Sequence, residues 1–167
     1  MPRGFTLLEL VVTVAILAIL LTLAVPNMTG FIVNAELRGA VNTLQADVMN
    51  ARSEAVKLAR PVVVRPIAAG SGWIGGWQTV VLDNAGNDSQ VLVGRDALSG
   101  NLAISTNSVN SIIRYDSAGY ARTSAGAFLA GCVLFTATKT ARSSGLIIDA
   151  AGRPRVCKGA LATPCCT

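Results

Sequence analysis

Gly4-Phe5-Thr6-Leu7-Leu8-Glu9-Leu10 opens the stretch whose reading decides the fold. From Phe5 to Val25 the only ionisable side chain is Glu9, and the other polar ones are Thr6, Thr13 and Thr22. A short basic leader, Met1-Pro2-Arg3, precedes it. As a helix, Phe5 to Val25 reaches about 30 Å, the thickness of a bilayer's hydrocarbon core. A carboxylate at that depth costs about 2.5–3.5 kcal/mol, so Glu9 is a functional candidate from its position alone. An ordinary secretory signal accounts for this less well. Ala24-Val25-Pro26 is a poor cleavage site after the apolar core, and Glu9 would have no role.

The apolar run continues into a segment of different character. Val33, Leu37, Val41, Leu44, Val48, Ala51, Ala55 and Leu58 recur at steps of three or four, which is one helical stripe. Glu36, Arg38, Asp47, Asn50, Glu54 and Lys57 mostly fall off it. The pattern predicts a helix over 5–60, apolar all round in its first half and amphipathic in its second, with Pro61 as the stop. The stripe is read as a core face rather than a partner-binding one.

Gly4-Phe5-Thr6-Leu7-Leu8-Glu9 resembles the class III signal of type IV pilins and type II secretion pseudopilins. The resemblance implies a membrane peptidase cutting after Gly4, methylation of the new N-terminal Phe5, and Glu9 neutralising a neighbouring subunit's N-terminal amine during assembly. It places residues 1–4 in a leader, 5–26 in a membrane and assembly helix, 27–60 in the amphipathic helix, and 61–167 in a β-rich domain. The expected class is α+β: a type IV pilin-like long helix packed on antiparallel hairpins. The expected location is a single pass through the inner membrane with the domain in the periplasm, then the pilus or pseudopilus fibre. Implied partners are other pilins through the helix, and the prepilin peptidase.

Residues 61–167 read as strands and turns. Val62–Ile67, Gln78–Leu82 and Gln90–Val93 are strands, and Asp83 to Asp88 is a turn. That turn faintly resembles a calcium loop but lacks the later bidentate glutamate. Trp73 and Trp77 are read as core indoles rather than a sugar or base platform. Ile112 to Arg122 and Leu146 to Arg155 echo each other: apolar strand, Asp-x-Ala-Gly turn, arginine. Aspartate opens such turns and glycine supplies positive φ. Phe128 to Ala137 is a further strand, and Lys139 to Ser144 a basic turn.

Several function classes drop out. The chain has no histidine, which removes Ser-His-Asp and Cys-His catalysis. No phosphate-binding Walker loop is present, no metal or cofactor site is read, and no catalytic constellation emerges. Four cysteines remain, Cys132, Cys157, Cys165 and Cys166, with three full pairings. The adjacent pair is not expected to bond to itself. At least one link from the C-terminal tail to the body is expected, with Cys132 a candidate, and an exported domain permits it.

Charge is uneven. Of a net +5, most lies in residues 132–167, where Lys139, Arg142, Arg153, Arg155 and Lys158 face Asp149 alone. Such asymmetry points to an anionic partner. Gly152-Arg153-Pro154-Arg155 places two guanidinium groups two residues apart, on one face of an extended segment. Pro154 restricts the chain between them, and arginine's planar fork suits phosphate. With no aromatics interleaved, contact with the phosphate backbone rather than bases is expected.

Gly152, Arg153 and Arg155 also match the G-R-x-R motif of FimT-type minor pilins, within the GspH/FimT family. The resemblance implies weak, non-specific DNA binding for uptake in natural transformation, with Lys158, Arg142 and Lys139 in support. The alternative is a structural or priming subunit of a pilus or pseudopilus tip, of the FimU or GspH kind, without DNA binding.

Overall fold

In the computed structural model, residues 4–68, 70, 72–107, 112–123 and 125–160 are described. Helix α1 (Leu7–Leu58) runs unbroken for 52 residues, through Pro26. Thr6 caps it, its hydroxyl accepting from Glu9 N at 3.2 Å. Ala59, at φ 51°, closes it in the left-handed region two residues before Pro61. The helix is therefore shorter at both ends than the 5–60 read from the sequence.

Strands β1 (Val62–Pro66), β2 (Trp77–Leu82), β3 (Asp88–Arg95), β5 (Ile113–Tyr115) and β6 (Ala121–Arg122) form one antiparallel sheet in the order β3-β2-β1-β5-β6. Strands β4 (Leu102–Asn107), β7 (Gly131–Ala137), β8 (Arg142–Ile148) and β9 (Pro154–Ala160) form a second, in the order β4-β7-β8-β9. The expected α+β pilin-like class is what the chain adopts.

The amphipathic half of α1 packs against both sheets. Val33, Leu37, Val41, Leu44, Val48, Ala51 and Ala55 are buried with Val62, Val64, Trp77, Tyr115, Phe135, Leu146 and Ile148 in one core. That is the predicted stripe with one correction: Leu58, the last residue of the helix, is 39% exposed. Trp73 and Trp77 lie in the core as read.

Asp47 departs from the polar face assigned to it. It is buried and accepts from Trp77 Nε1 at 2.8 Å and from Arg95 Nε and Nη2 at 2.9 and 2.8 Å. Those bonds replace its lost hydration. Its carboxylate also holds the Arg95 pKa above the usual arginine value.

Strand boundaries moved by one to three residues: β1 ends at Pro66, β2 starts at Trp77 and β3 runs from Asp88 to Arg95. Phe128 makes only an isolated bridge to Arg122, so β7 starts at Gly131. Arg142 to Ser144, read as turn, open β8.

From Leu7 to Thr22 the helix stands clear of the domain. Every described residue from Phe5 to Thr22 is exposed, and Phe31 and Ile32 are exposed beyond them. No helix among the described residues is long and apolar enough to cross a membrane. The exposed helical stretch 7–22 reaches about 24 Å.

Candidate nucleic-acid interface

Three copies of one local device shape the domain's turns: Asp83-Asn-Ala-Gly86, Asp116-Ser-Ala-Gly119 and Asp149-Ala-Ala-Gly152. In each, the glycine sits at positive φ, between 77° and 87°. In each, the aspartate accepts backbone N–H bonds. Asp83 Oδ1 takes those of Ala85 and Asn87, Asp116 Oδ1 those of Ala118 and Tyr120, and Asp149 Oδ1 that of Arg153. The Asp83 carboxylate is thus spent on its own turn.

These bonds favour the ionised form, so the carboxyl pKa values fall below the usual range. For Asp83 and Asp149 the leading cause is the N–H of Asn87 and of Arg153, respectively. For Asp116 burial pushes upward, and the Arg122 side chain with the turn N–H groups outweighs it.

The two echoed turns meet in space. Tyr115 Oη donates to Gly152 O at 2.8 Å. A Cβ on Gly152 would lie 2.8 Å from Ala121 N, 2.9 Å from Tyr115 Cε1 and 3.2 Å from Gly119 O. Gly152 is therefore needed twice, for its φ and for the close approach of the β5–β6 hairpin. Tyr115 is buried there, and burial raises its phenol pKa above the usual tyrosine value. Gly119 in turn rests on α1, where its Cβ would meet Val56 Cγ2 at 2.9 Å.

Arg153 leaves this junction with its side chain 70% exposed, and its Nε donates to Asp149 Oδ2 at 3.0 Å. Such a solvent-exposed pair is worth only about 0.2–1 kcal/mol, so a phosphate competes for the guanidinium. Arg155 is exposed on β9, and no described carboxylate pairs with it. Arg114 and Arg122 face each other across β5–β6, and Arg52 lies against Gly119. Arg122 Nε is held by Asp116 Oδ2 at 2.8 Å. The echo contained this signal: Asp116 precedes Arg122 by the spacing at which Asp149 precedes Arg155.

Lys139, Arg142 and Lys158 are not brought to this junction. Lys158 is five residues along β9 from Arg153, about 16–17 Å, and three from Arg155, which puts it on the opposite face. Arg142 and Lys158 instead line a cavity of about 330 Å³ with Arg38, Asn34 and Leu37 of α1. Lys139 is on the adjoining turn, where Thr140 Oγ1 bonds Asn34 Oδ1 at 2.9 Å. The arginine turn lies near residues 52–56 of α1, and this second basic group near 34–38, about 27 Å away along the helix. The expectation of one basic surface is corrected to two.

The described cysteines are not free thiols: Cys132 and Cys157 are disulfide-bonded. They are not bonded to each other. Cys132 pairs with Ile147 and Ile147 with Arg155, so Cys157 sits two strands across and two residues along. That separates the Cα atoms by about 12 Å, beyond a disulfide's reach. Cys165 and Cys166 lie outside the described residues. Among the described residues, no group of three or more metal-ligating side chains gathers.

A helix left bare along its first half and sunk along its second into two antiparallel sheets defines a pilin-type subunit. Residues 2–25 match the prokaryotic N-terminal methylation motif. Residues 40–152 match the family of the type II transport protein GspH, and the chain belongs to that family. It is a minor pilin or pseudopilin. In structure it is similar to the type IV minor pilin FimU of Pseudomonas aeruginosa (strain PAO1), with TM-score 0.60 and 22% identity over 78% of this chain and 93% of that one. A second crystal form of FimU gives 0.57 and 21% over 77% and 96%. At such identity the likeness speaks for the fold. No curated protein matches the chain.

Proposed function

We propose that this chain is a DNA-binding minor type IV pilin whose contact is the Gly152–Arg155 turn, serving DNA uptake in natural transformation. The observation that carries this is the pair of exposed guanidinium groups at a turn locked by Gly152, one of them, Arg155, with no carboxylate partner among the described residues. The backbone that carries both is fixed by the Gly152 contact and by β9, so little backbone freedom is lost on engaging phosphates. The contact is to the backbone, weak and without sequence preference. Several copies along a fibre gain strength through avidity.

The N-terminal half follows the same reading. The peptidase cuts after Gly4, Phe5 is methylated, and the bare helix holds the subunit once through the inner membrane, with the domain in the periplasm. Glu9 then meets a neighbour's N-terminal amine as the helices pack into the fibre. The exposed apolar face supports this, since it has no cover from its own domain.

A second reading is a structural or priming subunit of the FimU or GspH kind. Two observations favour it: the FimU-like fold, and Arg153's engagement by Asp149. A mobility-shift titration of the full chain in detergent, beside Arg153→Gln/Arg155→Gln, separates them. The DNA reading expects a shift that the folded double variant loses. Equal behaviour of the two proteins supports the structural subunit.

A further inference from the structure

The hairpin that Gly152 packs against carries one exposed aromatic ring, Tyr120, and Phe128, which bridges to its Arg122, supplies a second. Tyr120 is 43% exposed and Phe128 57%. Their centroids are 5.7 Å apart with planes at 84°, an edge-to-face pair. Arg122 Cζ stands 4.1 Å from the Phe128 centroid and 5.8 Å from that of Tyr120. Tyr120 lies between Gly119 and Ala121, the two residues whose backbone meets Gly152, and Arg153 follows Gly152 directly. The rings and the arginines therefore rise from one patch.

We propose that Tyr120 and Phe128 are a stacking platform for unpaired nucleobases, so that this site prefers single-stranded to double-stranded DNA. The inference rests on the DNA-binding reading above and names its substrate class. Exposed ring surface beside cations that take phosphates matches the repeating chemistry of a single strand. In a duplex the bases are already stacked inside, and only phosphates reach the arginines. Arg122 lies against the Phe128 ring and is itself tied to Asp116. The rings are not part of the buried core, so removing them leaves the core intact.

The test is fluorescence anisotropy of the full chain in detergent micelles at low salt. The probes are a labelled single strand of about 20 nucleotides and the same sequence as a duplex. The parent binds the single strand more tightly, and Tyr120→Ala/Phe128→Ala loses about 5- to 100-fold for the single strand with little change for the duplex. Tyr120→Phe/Phe128→Tyr, which keeps both rings, retains the preference. If the alanine variant misfolds, Phe128→Leu keeps apolar bulk, removes one ring, and is read in the same way. Equal affinity of the parent for the two probes, or equal loss for both, overturns the platform and leaves the DNA reading standing. Rings needed for fibre assembly while single-strand binding is unaltered also overturn it. A parent that binds neither probe overturns the DNA reading itself.

Discussion

Gly152→Ala offers a quantitative test of why the arginine turn has its shape. The new Cβ meets two atoms inside 3.0 Å, Ala121 N and the Tyr115 ring, and a third at 3.2 Å. It also forces alanine to φ 77°. The backbone conformation costs about 1–2 kcal/mol. Overpacking adds about 1–3 kcal/mol, because Ala121 N belongs to a hydrogen-bonded strand and cannot swing aside.

Gly86→Ala supplies the control. It stands at the same position of the same turn, at φ 87°, with nothing within 4 Å of its Cβ. It should show the backbone cost alone. Thermal unfolding followed by fluorescence of the buried Trp73 and Trp77 reports both variants. Near 2–4 °C per kcal/mol, Gly86→Ala should lower Tm by about 2–8 °C and Gly152→Ala by about 4–20 °C. Equal shifts in the two variants would refute the claim that the echoed hairpins press together at Gly152.

Asp149→Asn keeps an acceptor for the Arg153 N–H while removing the charge that competes for its guanidinium, so DNA affinity should rise, by up to about fivefold, in an anisotropy titration. Stability should fall in acid. The folded Asp83, Asp116 and Asp149 carboxyls have pKa values below the unfolded range, so their contribution is present above about pH 4 and is lost as pH drops through the folded values, which a pH series of Tm detects. Lys139→Gln/Arg142→Gln/Lys158→Gln should weaken binding at 0.1 M salt less than Arg153→Gln/Arg155→Gln does, since Lys158, three residues along β9 from Arg155, lies about one Debye length (about 10 Å) away on the opposite face, and an anisotropy titration checks it. Non-reducing peptide mapping should find both Cys132 and Cys157 in disulfides, with no Cys132–Cys157 link.

The long helix and its core stripe were legible because a 3.6-residue period over many turns leaves little choice. Asp47 was not, because its partners Trp77 and Arg95 are set by sheet registry rather than by the helix. Strand β4 escaped notice: Leu102-Ala-Ile-Ser-Thr-Asn is short and lies at a sheet edge, so only Leu102 is buried. The echo and its turn chemistry were readable, since Asp-x-Ala-Gly carries its conformation locally. That the two echoed turns touch was not, because the contact joins segments about 33 residues apart through a single glycine. The split of the basic residues was half visible: Arg155 and Lys158 differ by an odd step on one strand. Their distance apart along α1 needed the fold.

The central claim is that Arg153 and Arg155 each neutralise a DNA phosphate. The most direct measurement is the slope of log binding constant against log salt, for the full chain and for Arg153→Gln/Arg155→Gln, with duplex DNA. Two lost phosphate contacts should make the variant's slope shallower by about 1.8. Identical slopes in two equally folded proteins would contradict the account and return the chain to a purely structural place in the fibre.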